Sequence, residues 1–308
     1  VLTTFLWRLV LSIPVILGVT VIAFLILYLT PGDPVDAILG PRATDEARAA
    51  MRATLGLDRP VALQYLHWLG GALTGDFGTS VMTQTPVVDT IGARLPYTLL
   101  LTGTAFAISI LIGIPLGILA ARHQNRALDH VSMGAAMTLY STPDFWLALM
   151  LTIVFAVGLG WFPVSGARGW EHLVLPALAL GLPQVGAVAR LMRAEMLGTM
   201  RDEYVLTARA KGLSDGRVVY GHVLRNAAVP VVTWLFLALP WLFGGAVVIE
   251  NIFAWPGMGQ LMFQAILRKD FPVIQALLLI IAVLTVLSNL AGDAAAAAID
   301  PRIREGQG

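Results

Sequence analysis

The sequence predicts an all-α fold: a polytopic membrane protein with six transmembrane helices. Hydrophobic residues make up 57% of its 308 positions and the mean hydropathy is +0.78. Only 13% are charged, against about 25% in soluble domains. The charges are also segregated, because 9–32, 95–121, 145–167, 172–189, 226–249 and 271–292 contain no Asp, Glu, Lys or Arg. A helix rising about 1.5 Å per residue needs about 20 residues to cross about 30 Å of hydrocarbon, and each run approaches that length.

The first run follows Arg8 and leads into Pro31-Gly32-Asp33-Pro34. It is longer than the 7–15-residue core of a secretory signal, so it reads as an uncleaved span over 1–30. Segment 31–94 reads as external and partly helical. Thr44 is placed to cap a helix through Asp45 and Glu46, with Gly56 to end it, and Leu63, Leu66 and Leu69 recur at helical spacing in the next stretch. Residues 95–308 form the membrane core. Its spans carry Pro115, Pro143, Pro176, Pro183 and Pro240, and Pro14 lies in the first. Proline removes a backbone hydrogen bond, so kinked spans suit a moving pathway better than a rigid anchor.

Loop charges orient the chain. With both termini cytoplasmic, the inner segments hold twelve of the 20 basic residues, and the short outer loops hold only Arg168, Arg268 and Lys269. This agrees with the excess of Lys and Arg in cytoplasmic loops. A net charge of +1 gives no reason to expect nucleic acid, and the absence of cysteine excludes disulfides and thiolate metal sites in this chain. His67, His123, His130, His172 and His222 form no pair with ligand spacing, so no metal site is expected.

The longest charged inner insert contains EYVLTARAKGLSDGRVVYGHVLRNAAVP, residues 203–230. Met200, Tyr204 and Ala208 repeat at i, i+4, Gly212 is placed to stop a helix, and Ser214 to start another. Pattern alone allows either a solvated loop or two short helices that offer a surface to a cytoplasmic protein.

This segment resembles the cytoplasmic loop of ABC-importer permeases, most closely the dipeptide, oligopeptide and nickel branch of binding-protein-dependent inner-membrane components. TARAKGL and HVLRNAAVP carry the resemblance. So do PGDP after the first span, LGLDRPVALQYLHWL (55–69), GDFGTS (75–80), ENIFAWPGMG (250–259), DFPVIQ (270–275) and DPRIR (300–304). The general importer motif has Glu-Ala-Ala where this chain has Leu206, Thr207 and Ala208 ahead of Gly212, a departure usual in this branch.

The resemblance implies a type I importer permease in a bacterial inner membrane, with membrane lipids around it. It also implies a second homologous permease, two ATP-binding subunits that hold ATP and Mg, and an external substrate-binding lipoprotein. Within segment 196–225, Glu203, Tyr204, Ala208, Arg209, Ala210, Lys211 and Gly212 would form a coupling helix in a groove of an ATPase. Small Ala208, Ala210 and Gly212 would permit close approach. The chain supplies no ATPase of its own, because Lys211 follows Ala210 and Lys269 follows Arg268, so no Gly-Lys-Ser/Thr exists.

Polar groups inside spans are the candidates for a translocation pathway. A third span starting near Leu128 would carry Asp144 about 24 Å along its axis. Gln184 lies in the fourth span, and Glu250 and Asn251 at the outer end of the fifth, as gate residues or as loop caps. Asn289 and Asp293 in the sixth are expected to serve packing. ENIFAWPGMG, RGWEHLVLPA and AARHQNR are similar to nickel permeases, whereas EYVLTARAKGL is closer to dipeptide permeases. Small peptides are therefore the expected cargo and chelated nickel the alternative. An intramembrane enzyme would need a motif such as His-Glu-x-x-His or Gly-x-Ser-x-Gly, which is absent. A secondary transporter would show inverted repeats, and none is evident.

Overall fold

A computed structural model of the chain describes residues 2–29, 35, 39, 43–54 and 57–299. The PGDP and DPRIR motifs and Gly56 lie outside the described residues. Twelve α-helices are named here: α1 (Leu2–Leu29), α2 (Asp45–Thr54), α3 (Val61–Thr74), α4 (Val87–Arg122), α5 (Ala127–Ser141), α6 (Asp144–Leu151), α7 (Glu171–Thr199), α8 (Glu203–Ala210), α9 (Asp215–Val218), α10 (Leu224–Ile252), α11 (Met258–Arg268) and α12 (Phe271–Ile299). Thr44 caps α2 as expected, its Oγ1 accepting from the Ala47 amide at 3.2 Å, and α3 follows the leucine repeat.

Five helices are long and apolar enough to span, within Val10–Leu29, Val87–Arg122, Glu171–Thr199, Asp215–Ile252 and Phe271–Ala295. The third span in chain order differs from the continuous helix expected from Leu128. Here α5 and the α6 segment, which ends in a π-helical turn at Thr152–Gly158, meet at an angle of 104°. Pro143 explains the break. Its ring cannot continue α5, and it pushes Thr142 into extended backbone (ψ 124°). The depth computed along a straight axis therefore does not apply to Asp144, which starts the second arm.

The centre of the bundle is α7, with 67% of its apolar window buried. Glycine lets α4 and α5 come close to it. Gly113 and Gly117 on α4 form a Gly-x-x-x-Gly repeat facing α7. A Cβ on Gly113 would sit 2.8 Å from the Val188 Cβ, and one on Gly117 would sit 2.6 Å from the Ala189 carbonyl. From the other side, a Cβ on Gly186 of α7 would overlap the Ala136 carbonyl of α5. Apolar lipid provides no hydrophobic drive between helices, so contact of this closeness is what holds spans together.

Polar ties close the bundle at both ends. At one end, Asp129 of α5 is buried and takes two hydrogen bonds from Arg193 of α7, Nε to Oδ1 and Nη2 to Oδ2, both 2.6 Å. The Asn125 amide adds a third at 2.9 Å. At the other end, Ser80 Oγ donates to Asp270 Oδ2 at 2.5 Å, and the Val81 amide donates to Asp270 Oδ1 at 3.2 Å. This joins the loop after α3 to the start of α12. The first helix, α1, packs on α12 and α3. Its Thr20 hydroxyl shares a 2.9 Å hydrogen bond with Tyr65, and Phe24 stacks edge-on against the Tyr65 ring.

Candidate functional site

The motif segment 203–230 forms an elbow at the Asp129–Arg193 end of the bundle. Helix α8 ends where Gly212 takes φ +78°, a left-handed geometry that glycine adopts without strain. Its amide donates to the Arg209 carbonyl at 2.9 Å, and the Leu213 amide donates to that of Ala208 at 3.4 Å. Ser214 occupies the start of α9 in extended backbone, without a side-chain cap. The second arm departs from the expected short helix, because α9 runs through a π-helical turn at Val219–Val223 directly into α10. The elbow is thus the protruding beginning of the fifth span.

The inward face of the elbow consists of Val205 and Ala208 from the first arm and Val218, Val219 and Val223 from the second. They share one apolar cluster with Met192 and Met196 of α7 and Ile118 of α4. Ala208 was expected at a partner's surface but is turned into this cluster and is 7% exposed. Its stripe partner Tyr204 points outward, and its hydroxyl accepts from Asn226 Nδ2 at 2.7 Å. The buried pair is therefore Val205 and Ala208, at i, i+3. Glu203, Tyr204, Arg209, Ala210, Lys211 and Gly212 form the exposed rim. Arg209 meets Asp215 at 3.3 Å on the surface, a pairing of little energetic weight. The space over Gly212 is open, with nothing within 4 Å of a Cβ built there. The elbow is seated on the spans by apolar packing and leaves a charged crest outside.

The pathway candidates separate. Asp144 is half-buried at the break of the third span, with its Oδ2 3.3 Å from a Cβ position on Gly245 of α10. No hydrogen bond to its carboxylate occurs among the described residues. Gln184 is likewise half-buried on α7. Glu250 is wholly enclosed and acts as a cap. It accepts from Thr98 Oγ1 at 2.7 Å and from the Gln260 amide at 2.9 Å, while Thr98 Oγ1 accepts from the Met258 amide at 2.7 Å. These bonds satisfy the otherwise orphaned amides that begin α11. Asn251 donates to the Val247 carbonyl of its own helix at 2.7 Å.

Sequence reasoning did not find Thr98, Asp129 or Arg193. A lone acid just ahead of the uncharged stretch 131–143 was the available sign for Asp129, and the Gly113/Gly117 spacing was the sign for helix contact.

Broken span, glycine-packed bundle and seated elbow together define a polytopic helical membrane protein with a charged crest at one end. Comparison with known proteins gives its family. Residues 113–305 match the binding-protein-dependent transport system inner membrane component family, and residues 2–102 match the N-terminal module of such membrane components. The chain belongs to this family. It is 43% identical over 297 residues to the glutathione transport system permease protein GsiC of Salmonella choleraesuis, covering 96% of this chain and 97% of that protein. It is 39% identical over 307 residues to the oligopeptide transport system permease protein AppB of Bacillus subtilis, with the same coverage. In fold it is similar to an inward-facing structure of the MetNI methionine ABC transporter, at TM-score 0.60 and 20% identity over 68% of this chain and 96% of that one. It is also similar to an amino acid ABC transporter, at TM-score 0.53 and 17% identity over 70% of this chain and 94% of that one. The chain is therefore a multi-pass inner-membrane transport subunit of the ABC importer class, a class that works with ATPase and substrate-binding partners.

Proposed function

We propose that this chain forms half of the translocation channel of an ATP-driven importer of small peptides. It pairs with a second homologous permease, two ATP-binding subunits that hold the ATP and Mg, and an external binding lipoprotein. Both termini lie in the cytoplasm. Residues 1–30 are a first helix, 31–94 an external segment, and 95–308 the permease core, with 196–225 as the coupling segment. The observation that carries the reading is the elbow, whose charged crest is exposed while Val205, Ala208 and Val218 are buried among the spans. A push on the crest by an ATPase reaches α7 and α10 without slack, and alternation then requires different ligand contacts in the two states. The crest residues are Glu203, Tyr204, Arg209, Ala210, Lys211 and Gly212.

Peptide cargo is supported by relatives named for glutathione and oligopeptide transport, and glutathione is itself a small peptide. Asp144 offers a carboxylate to a peptide ammonium, with Gln184 as a second pathway group. The test is co-purification of the complex and uptake of labelled peptide by reconstituted vesicles. Two ATPases, a peptide-loaded binding protein and ATP-dependent uptake are the expected result. A binding protein that carries chelated nickel, or none at all, refutes the peptide assignment. Asp144→Asn is expected to reduce uptake of peptides with a free amino terminus while leaving N-acetylated peptides unaffected. An equal effect on both removes Asp144 from the pathway.

A further inference from the structure

Arg190 of α7 ends the uncharged run 172–189, and neither the elbow nor the polar ties of the bundle use it. Where α5 crosses α7, Gly186 leaves room for the α5 backbone, with the Tyr140 amide nitrogen 3.0 Å from a Cβ built there. Arg190 follows one helical turn later on the same face, and side chains on a helix lean toward its amino terminus. The Arg190 guanidinium consequently lies over the Tyr140 ring, 4.4 Å from the centroid. This cation–π contact occupies the flat face of the group and leaves the N–H donors at its edge. Arg193, the next basic residue, is engaged by Asp129. Arg190, in contrast, is exposed and has no hydrogen bond or ion pair among the described residues.

Tyr140 lies in the last turn of the first arm of the broken span, and Asp144 begins the second. The break thus has a guanidinium held against one arm and a carboxylate on the other, each without a partner of opposite charge among the described residues. Their levels along α7 differ by a definite amount. The Gly245 Cβ position has Asp144 Oδ2 at 3.3 Å and Leu180 Cδ1 at 3.1 Å, which puts the carboxylate beside Leu180. Gly186, where Tyr140 packs, comes later on the same helix, by about 9 Å at about 1.5 Å per residue. The two termini of an extended tripeptide lie about 10 Å apart, at about 3.3–3.6 Å per residue. A carboxylate and a guanidinium at this spacing match the ammonium and the carboxylate of a short peptide, and the planar fork of arginine suits a carboxylate.

We infer that Arg190 is a further binding residue of the pathway, which takes the terminal carboxylate of a peptide whose ammonium meets Asp144. The inference rests on the reading of Asp144 as a pathway group and of small peptides as the cargo. It adds that the broken span reads both ends of the peptide. The carboxylate end lies toward the elbow, because α7 runs from Leu180 through Arg190 to the Asp129–Arg193 end of the bundle. An arginine that only anchored the inner end of the span would be indifferent to the terminus of the cargo.

The experiment uses the complete transporter, with its partner subunits and binding protein, reconstituted in vesicles. Labelled trialanine and its C-terminal amide are each supplied at a concentration that saturates the binding protein, so that uptake reads the membrane step. Arg190→Gln is expected to lower uptake of the free acid by about tenfold, the weight of one hydrogen bond to a charged group, and to leave uptake of the amide unchanged. Arg190→Lys, which keeps the charge, should retain most of the acid uptake. Equal losses for acid and amide, or undiminished uptake of the acid, overturn the assignment. A labelling measurement needs no transport of the amide. Arg190→Cys supplies the one cysteine of this chain, and trialanine with a maleimide at its carboxyl end should label it faster than trialanine with a maleimide at its amino end. Equal rates, or the reverse order, overturn the assignment. N-acetylated trialanine separates the two readings. If Asp144→Asn lowers uptake of acetylated and free peptide alike while Arg190→Gln still distinguishes acid from amide, Asp144 leaves the pathway and Arg190 stays. No uptake of trialanine by wild type refutes the peptide cargo, and the Arg190 site with it.

Discussion

Removing the charge at Asp129 tests whether α5 is tied to α7 at that end of the bundle as described. Asp129→Asn keeps the shape of the side chain but leaves the Arg193 guanidinium facing a neutral amide, so one of two 2.6 Å charge-assisted hydrogen bonds is lost. Breaking a buried ion pair on one side costs about 3–5 kcal/mol. The arginine side chain retains 26% exposure against 2% for the aspartate, so it partly rehydrates, and the expected loss is about 2–3 kcal/mol. The assay is the unfolding midpoint of the purified chain in mixed micelles of rising dodecyl sulfate content, for Asp129→Asn, Arg193→Gln and the double variant. A real tie gives a coupling energy of about 1.5–3 kcal/mol, with the double variant more stable than the two single losses imply. Coupling below about 0.5 kcal/mol, the range of independent sites, refutes the tie.

Three further outcomes follow from the same geometry. Gly212→Val puts a β-branched side chain at φ +78°, which costs about 1–2 kcal/mol. Because the surrounding space is open, the chain should still insert while substrate-stimulated ATPase activity and uptake part company, and normal coupling counts against the role of the elbow. Gly186→Ala forces α5 and α7 apart at the Ala136 carbonyl, with an expected loss of about 1–3 kcal/mol in the same micelle titration. An unchanged midpoint contradicts the close approach. Glu250→Ala deprives the Thr98 hydroxyl and the Gln260 amide of their acceptor, at about 1–3 kcal/mol for each group left unsatisfied. Protease nicking near Pro256 should accelerate, whereas Glu250→Gln, which keeps one acceptor oxygen, should fall between the two.

The spans were legible because a bilayer filters composition. Runs 95–121, 172–189, 226–249 and 271–292 each lie within one long helix, as do the described residues of 9–32, whereas 145–167 supplies α6, the π-helical turn and the loop after it; Thr44 and Gly212 mark helix ends as their local chemistry requires. The broken span was only half legible. Pro143 announced a disruption, but the 104° turn depends on packing that no local pattern encodes. The elbow's buried face was not legible for the same reason. Met200, Tyr204 and Ala208 fit an i, i+4 stripe, yet the helix axis restarts between Met200 and Glu203, so its phase is lost. Glu250 with Thr98 and Asp270 with Ser80 are separated by 152 and 190 residues. Such pairs have no sequence period, and only the fold brings them together.

The placement of α1 bears on how the chain is made. Its partners include α12, which follows it in the chain by more than 240 residues, from Leu29 to Phe271. At about 5–20 residues per second, the interval between Leu29 and Phe271 lasts on the order of 10 to 50 s. Through that time Thr20 and Phe24 have no surface of α12 to rest on, and α3 is the first neighbour available to them. The order of synthesis thus lets the contacts of α1 with Tyr65 of α3 form before α12 exists to be packed against.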